Sequence, residues 1–99
     1  MVTAIVMMNV ERHGMQSTAQ ALLDIPGVAE VYSVTGEYDL LAIVRAAEYD
    51  QIAEIVTGHF VRVPAIRHTH TLMAFQCYSN QDMERLWDIG AEDEEAEPV

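Results

Sequence analysis

Two β-rich apolar runs meet in one stretch of the chain, VAEVYSVTGEYDLLAIVR, which covers residues 28–45. The runs are joined through Gly36, Glu37, Tyr38 and Asp39. Gly36 can take the positive φ that a tight turn requires, and the Asp39 side chain can accept hydrogen bonds from nearby backbone. The stretch therefore predicts a β-hairpin, in which the residues on either side of the turn form adjacent antiparallel strands.

The segments around the hairpin supply two further strands and two helices. A near-continuous apolar run at residues 2–10 predicts a first strand that is buried on both faces. Helical spacing of apolar residues predicts helices at 14–24 and 48–56, and a last strand follows at 66–77. The apolar positions that define the helices are Met15, Ala19, Leu22 and Leu23 in the first and Ile52, Ile55, Val56 and Phe60 in the second.

The order βαββαβ predicts one ferredoxin-like α+β domain over residues 1–80, a four-stranded antiparallel sheet with both helices on one face. Side chains of the first and third strands are apolar on both faces of that sheet. Because two helices cover only one face, the pattern predicts a homodimer stacked sheet against sheet, a dimeric α+β barrel. Beyond the domain, residues 81–90 predict a short helix, and the acidic residues 91–99 predict a disordered tail.

The composition argues against several classes of function. The chain has 16 acidic residues against 5 basic ones, a formal net charge of −11, so it lacks the clustered cations that nucleic-acid binding needs. Its single Cys77 cannot form an intrachain disulfide, and no apolar run reaches the roughly 18 residues of a membrane span. No signal sequence is visible at the N-terminus. We therefore expect a cytoplasmic protein with no direct contact to nucleic acid or membrane.

Three short motifs carry a resemblance to a known family. They are IPGV at 25–28, TGEYDLL at 35–41 and VPAI at 63–66, the last before a strand that contains Thr69-His70-Thr71. Over about residues 1–80 the chain resembles the effector-binding and oligomerisation domain of the Lrp/AsnC transcription regulators, often called the RAM domain. Full-length members carry a helix-turn-helix domain before it, which the sequence lacks, so the resemblance implies a stand-alone RAM protein.

The resemblance implies a βαββαβ fold, rings of dimers such as octamers, and amino-acid ligands held in clefts between dimers. It also implies an effect on transcription, with a DNA-binding Lrp/AsnC paralogue as partner. The residues that match the family's effector-site segments by position are Gly36, Tyr38, Asp39, Thr69 and Thr71. An Asp39 carboxylate suits a ligand ammonium, and hydroxyls or backbone N–H groups suit a ligand carboxylate. His68 and His70 flank the threonines and depart from the family pattern.

Plainer explanations exist for the same residues. Asp39 can be present only because its side chain stabilises the turn, and threonine is common in strands whether or not a ligand binds. His68 and His70 share a sheet face and offer two metal ligands. The sequence shows no third ligand unless His13 or His59 approaches them in the fold, so neither a metal nor a cofactor is expected. Two other functions stay open: a small dimeric α+β-barrel enzyme of monooxygenase or isomerase type, and a ligand-free oligomerisation scaffold. Because no catalytic cluster is visible, we expect a binding module and not an enzyme.

Overall fold

The computed structural model describes residues 1–80 and has the βαββαβ order that the sequence predicts. The main elements are β1 (Val2–Val10), α1 (Met15–Leu23), β2 (Val28–Ser33), β3 (Leu40–Ala46), α2 (Tyr49–Glu54) and β4 (Ile66–Ala74). A 3-10 turn precedes α1, and α2 continues through a π-helical turn at Ile55–His59 and a 3-10 turn at Phe60–Arg62. The predicted helix at 81–90 and the predicted tail at 91–99 lie outside the described residues.

All neighbouring strands run antiparallel in one sheet of order β2-β3-β1-β4. β1 lies in the centre, where Met8 pairs with Leu40 of β3 on one side and with Thr69 of β4 on the other. Both helices pack against strands of this sheet, α1 mainly against β2 and α2 against β3 and β1. The predicted ferredoxin-like α+β class is therefore confirmed. The last strand ends at Ala74, three residues earlier than predicted.

The core lies between the sheet and the two helices, on the side here called the covered face. Alternate side chains of β1 and β3 point to this side and are almost completely buried, namely Ala4, Val6, Met8, Leu40, Ala42 and Val44. Leu22 of α1, Ile52 of α2 and Phe60 close the other side of the core. The inward side chains of the strands, at every second position, thus pack against the apolar stripes of the helices that the sequence predicts.

The opposite side of the sheet, here called the open face, carries no helix within residues 1–80. Leu72 is 43% and Tyr32 is 47% exposed there, while Ile5 and Met7 are only partly buried. In the single chain β1 is fully buried on one face only, and the burial predicted for its other face requires the second subunit, which stays a prediction. The open face consists of Thr3, Ile5 and Met7 of β1, Glu30 and Tyr32 of β2, Leu41, Ile43 and Arg45 of β3, and His68, His70, Leu72 and Ala74 of β4.

The helices follow the predicted apolar stripes with one exception. Leu22 is fully buried, but Leu23, which the sequence pattern places in the same apolar stripe, is 45% exposed. Thr18, one turn before Leu22, is 3% exposed and takes the inward position instead. The start of α2 is fixed by a capping box, in which the side chains of Glu48 and Gln51 each accept a bond from the other residue's backbone N–H. No helix within residues 1–80 has the length and apolar character that crossing a lipid bilayer requires.

Candidate functional site

The loop between β2 and β3, residues 34–39, contains three of the five predicted site residues. The two strands pair as the predicted hairpin, although the connection is longer than the four-residue turn in the sequence pattern. Gly36 has a φ of +106°, and a Cβ built there would meet nothing within 4 Å. The turn role predicted for Gly36 is confirmed, and glycine is favoured there by backbone conformation and not by lack of space.

Three hydrogen bonds tie this loop to the end of β1. The Val10 N–H donates to Oδ2 of Asp39, the Asp39 N–H donates to the Met8 carbonyl, and the Asn9 side-chain amide donates to the Glu37 carbonyl, each at 2.9 Å. The first of these bonds satisfies Val10 where the pairing of β1 with β4 shifts register. The Asp39 carboxylate therefore anchors the loop to β1. Its hydrogen bond to Val10 gives it a structural role beyond that of an exposed residue at the tip of a turn.

Tyr38 reaches across the end of β1 to the edge strand β4. Its ring stacks on the ring of His70, with centroids 6.3 Å apart and planes 28° apart. His70 lies on the open face, opposite Met7 of β1. His70 is not one of the five predicted site residues, although its position beside Thr69 and Thr71 and its departure from the family pattern are visible in the sequence.

Thr69 and Thr71 lie on the other side of β4. They pair with Met8 and Val6, whose side chains enter the core, so both threonines belong to the covered face. Neither α1 nor α2 packs extensively against β4, and both threonines are exposed. Within one chain the structure therefore brings Tyr38 to β4 but leaves the two hydroxyls on the opposite side of the strand.

Two cavities of similar size lie elsewhere on the domain, and neither is lined by any of the five predicted site residues. The first, about 330 Å³, lies beside α2 and is lined by Pro26, Gly27, Arg45, Ala46, Gln51, Glu54, Ile55 and His59. The second, about 340 Å³, lies on the open face and is lined by Met1, Thr3, Ile5, Ile43, Arg45, Ala74, Phe75, Gln76 and Cys77.

A small polar cluster borders the second cavity. The Tyr32 hydroxyl donates a hydrogen bond to Oε2 of Glu30 at 2.7 Å, and Nη1 of Arg45 lies 3.8 Å from Oε1 of the same carboxylate. The hydrogen bond to the Glu30 carboxylate, with its negative charge, raises the pKa of Tyr32 above the usual 10.0. Tyr32 is thus a neutral hydrogen-bond donor at any physiological pH.

The potential metal ligands of residues 1–80 do not converge on one point. No group of three or more His, Cys, Asp or Glu side chains in that part of the chain comes together closely enough to hold a metal ion. His68 and His70 share the open face, but no third ligand joins them there. Cys77 is a free, exposed thiol.

The sequence of this domain matches a known protein family. A family model described as the Lrp/AsnC ligand binding domain matches residues 3–83, which include the 34–39 loop and all four strands. The chain belongs to this family. The Lrp/AsnC resemblance carried by the three sequence motifs is thereby confirmed.

Curated relatives of this Lrp/AsnC domain are transcription regulators. Uncharacterized HTH-type transcriptional regulators of Pyrococcus furiosus and Pyrococcus horikoshii are 35% and 37% identical to the chain over 60 residues. Each match covers 61% of the chain and 40% of the relative, so the chain spans less than half the length of these relatives. The comparison indicates a regulatory ligand-binding module as the class of function.

Solved structures support the same fold. A protein from Thermus thermophilus is 38% identical with a TM-score of 0.75, and the alignment covers 81% of this chain and 100% of that one. AsnC of Escherichia coli has a TM-score of 0.72 at 20% identity, with 79% of this chain and 53% of AsnC covered. At that identity AsnC supports the fold alone.

Proposed function

We propose that this Lrp/AsnC domain binds an amino acid as its effector, through Gly36, Tyr38, Asp39, Thr69 and Thr71. The observation that carries the proposal is the loop 34–39, which three hydrogen bonds fix to β1 while Tyr38 rests on His70. A loop held in this way needs little further ordering when a ligand binds, which reduces the entropic cost of binding.

The chemistry of these residues suits both ends of an amino acid. Asp39 uses Oδ2 for Val10, and a carboxylate can accept further bonds, so Oδ1 is available to a ligand ammonium. The exposed hydroxyls of Thr69 and Thr71 are donors for a ligand carboxylate. A Neisseria meningitidis transcriptional regulator of the same fold, 12% identical to the chain, was solved as a complex with L-Met, which supports an amino acid as the class of ligand.

The proposed site is completed between chains. Tyr38 and the two threonines lie on opposite sides of β4, so a ligand that contacts all of them needs a wall from a neighbouring copy. The exposed apolar side chains of the open face supply a reason for a homodimer, and contacts around β4 then join dimers into a ring. An effect on transcription would need a DNA-binding paralogue, because 5 basic residues against 16 acidic ones disfavour direct DNA contact.

Asp39→Asn tests the ligand site without disturbing the loop. The asparagine carbonyl can still accept the bond from Val10, but the charge that would pair with a ligand ammonium is lost. A thermal-shift screen of the proteinogenic amino acids identifies the ligand, and calorimetry then measures its affinity. We expect a loss of roughly tenfold or more in affinity, since hydrogen bonds to charged groups contribute about 1.5–3 kcal/mol.

Two further variants separate binding from folding. Glu37→Gln removes a charge from the same loop, where the Glu37 backbone carbonyl forms the bond to Asn9, so affinity should be unchanged. Asp39→Ala also removes the bond to Val10 and should lower the free energy of unfolding by about 1–2 kcal/mol. If no amino acid binds at millimolar concentration, the effector role is refuted and a scaffold is favoured. If Asp39→Asn binds as well as the wild type, the site lies elsewhere.

A further inference from the structure

A groove on the side of the sheet that carries the helices runs between α1 and the connection that leads into β4. Two adjoining cavities of about 440 Å³ and about 160 Å³ form it, and Ser17 of α1 lines both. The other lining residues come from the first half of α1 with the turn before it and from the connection, namely His13, Gln16, Thr18, Gln20, Ala21, Val63, Pro64 and Ala65. The groove therefore lies apart from the open face and from the five residues of the proposed effector site.

Close backbone contacts hold the two walls of the groove together. The Glu11 N–H donates to the Ala65 carbonyl at 3.0 Å, which joins the segment before α1 to the segment before β4. A Cβ built on Gly14 would lie 3.4 Å from Cβ of Ala65 and 3.5 Å from Oγ1 of Thr18. The fold itself thus positions both walls, so the groove exists without a ligand.

The surroundings of this groove are cationic in a chain whose formal net charge is −11. No Asp or Glu lines it, and the exposed Arg12 and Arg62 each adjoin a lining residue in sequence. Arg67 lies two residues beyond Ala65 and forms only a loose, exposed ion pair with Glu11, with Nη2 and Oε1 3.5 Å apart. Three of the four arginines in residues 1–80 are thus placed around one groove. Its charge suits an acidic peptide.

The C-terminal part of the sequence supplies an acidic peptide that can reach this groove. Residues 91–99 read AEDEEAEPV, with five carboxylate side chains and no basic residue. The groove adjoins the start of β4 at Ile66, and the strand ends at Ala74, about 27 Å away at about 3.3 Å per residue. Even with residues 81–90 in the predicted helix, the link from Ala74 to residue 91 spans up to about 38 Å. The reach is therefore sufficient within one chain.

We propose that the acidic segment 91–99 docks in this groove of its own chain. Its carboxylates lie beside Arg12 and Arg62, its alanine, proline and valine side chains contact the apolar wall at 63–65, and the Ser17 hydroxyl donates to a carboxylate. Because the segment is tethered, its effective concentration is in the millimolar range, and weak surface ion pairs are enough to hold it. The docked segment screens these arginines from other anionic partners. This docking does not depend on the proposed effector function.

Paramagnetic relaxation enhancement measures the docking in the whole chain. Cys77→Ser removes the exposed native thiol, and Ala91→Cys then carries a nitroxide label beside the acidic segment. We expect the label to broaden the amide signals of Ser17 and Ala65 more than that of Ala46, which lies near the end of β4 and would be reached first by an undocked segment. Raising NaCl from about 0.01 M to about 1 M shortens the Debye length from about 30 Å to about 3 Å and should reverse this order.

Ala21→Glu and Ala53→Glu form a matched pair of variants. Both place a carboxylate on an exposed helical alanine, but only Ala21 lines the groove. Ala21→Glu should reduce the broadening at Ala65 roughly twofold or more, because it repels the acidic segment, and Ala53→Glu should leave it unchanged. Arg12→Gln combined with Arg62→Gln should act in the same direction as Ala21→Glu.

A neutral segment, in which the five acidic residues of 91–99 are replaced by their amides, leaves residues 1–80 unchanged and should abolish the broadening at Ser17 and Ala65. The proposal is overturned if this variant broadens them as before, or if Ala21→Glu and Ala53→Glu have equal effects. Dilution of the spin-labelled, isotope-labelled chain into a large excess of unlabelled chain preserves broadening within one chain, so loss of the signal on dilution also refutes intrachain docking. No amino acid is present, so either result leaves the effector function proposed above untouched.

Discussion

Two glycines with positive φ stand at the two ends of β2 and differ in their surroundings. Gly27 has a φ of +100° and Gly36 a φ of +106°. A Cβ on Gly27 would lie 2.6 Å from Cδ1 of Ile55 and 3.3 Å from the Arg45 carbonyl, whereas one on Gly36 would meet nothing within 4 Å. The Gly27 carbonyl also accepts the Arg45 N–H at 2.7 Å, which limits any backbone shift.

Alanine at these two positions should therefore have different costs. Gly36→Ala adds only backbone strain, about 1–2 kcal/mol, while Gly27→Ala adds strain and a steric conflict with Ile55, about 3 kcal/mol or more in total. Urea denaturation followed by circular dichroism measures both values. Equal losses of unfolding free energy would show that the contact with Ile55 is relieved at little cost.

The helix α1 presents one leucine to the core and the next to solvent. Leu22 is fully buried and Leu23 is 45% exposed. Leu22→Ala should lower the free energy of unfolding by about 2–5 kcal/mol, because it leaves a cavity between α1 and the sheet. Leu23→Ala, the control with the same chemical change, should cost less than about 1 kcal/mol. Similar thermal midpoints for the two variants would contradict the orientation of α1.

The elements themselves could be predicted well from local pattern. The near-continuous apolar run at residues 2–10 predicted β1 with the bounds Val2–Val10, and the need for a positive φ in the turn predicted the role of Gly36. The exposure of Leu23 was harder to predict, because either of two adjacent leucines fits the apolar stripe of the helix about equally well. The anchoring of Asp39 was not accessible, since its bond to Val10 joins residues 29 apart in sequence, and the contact of Tyr38 with His70 depends on β4 lying beside β1.

At the scale of the whole molecule, the two faces of the sheet differ, because within residues 1–80 helices cover one face and none covers the other. We expect self-association through the open face, whose apolar side chains are too many for a soluble monomer to expose. Leu41→Asp, in the centre of that face opposite Met7, should shift the chain toward monomer at micromolar concentration in sedimentation velocity. Leu23→Asp places the same charge on an exposed leucine of α1 and should leave the assembly intact.

The opposite pattern, in which only Leu23→Asp dissociates the assembly, would move the interface to the helices. A wild-type chain that sediments as a monomer at the same concentration would refute the predicted dimer. Circular dichroism of both variants shows whether a change in sedimentation reflects association and not unfolding.

The central position of β1 also has a consequence for biosynthesis. Val2 pairs with Ala46 and Thr3 pairs with Ala74, so both neighbours of this strand are translated long after it. Contacts between distant parts of a chain slow folding, and an apolar strand without partners is prone to aggregate. During synthesis the VTAIVMMNV segment therefore has no strand partner until β3 has left the ribosome, and its second edge stays open until β4 follows.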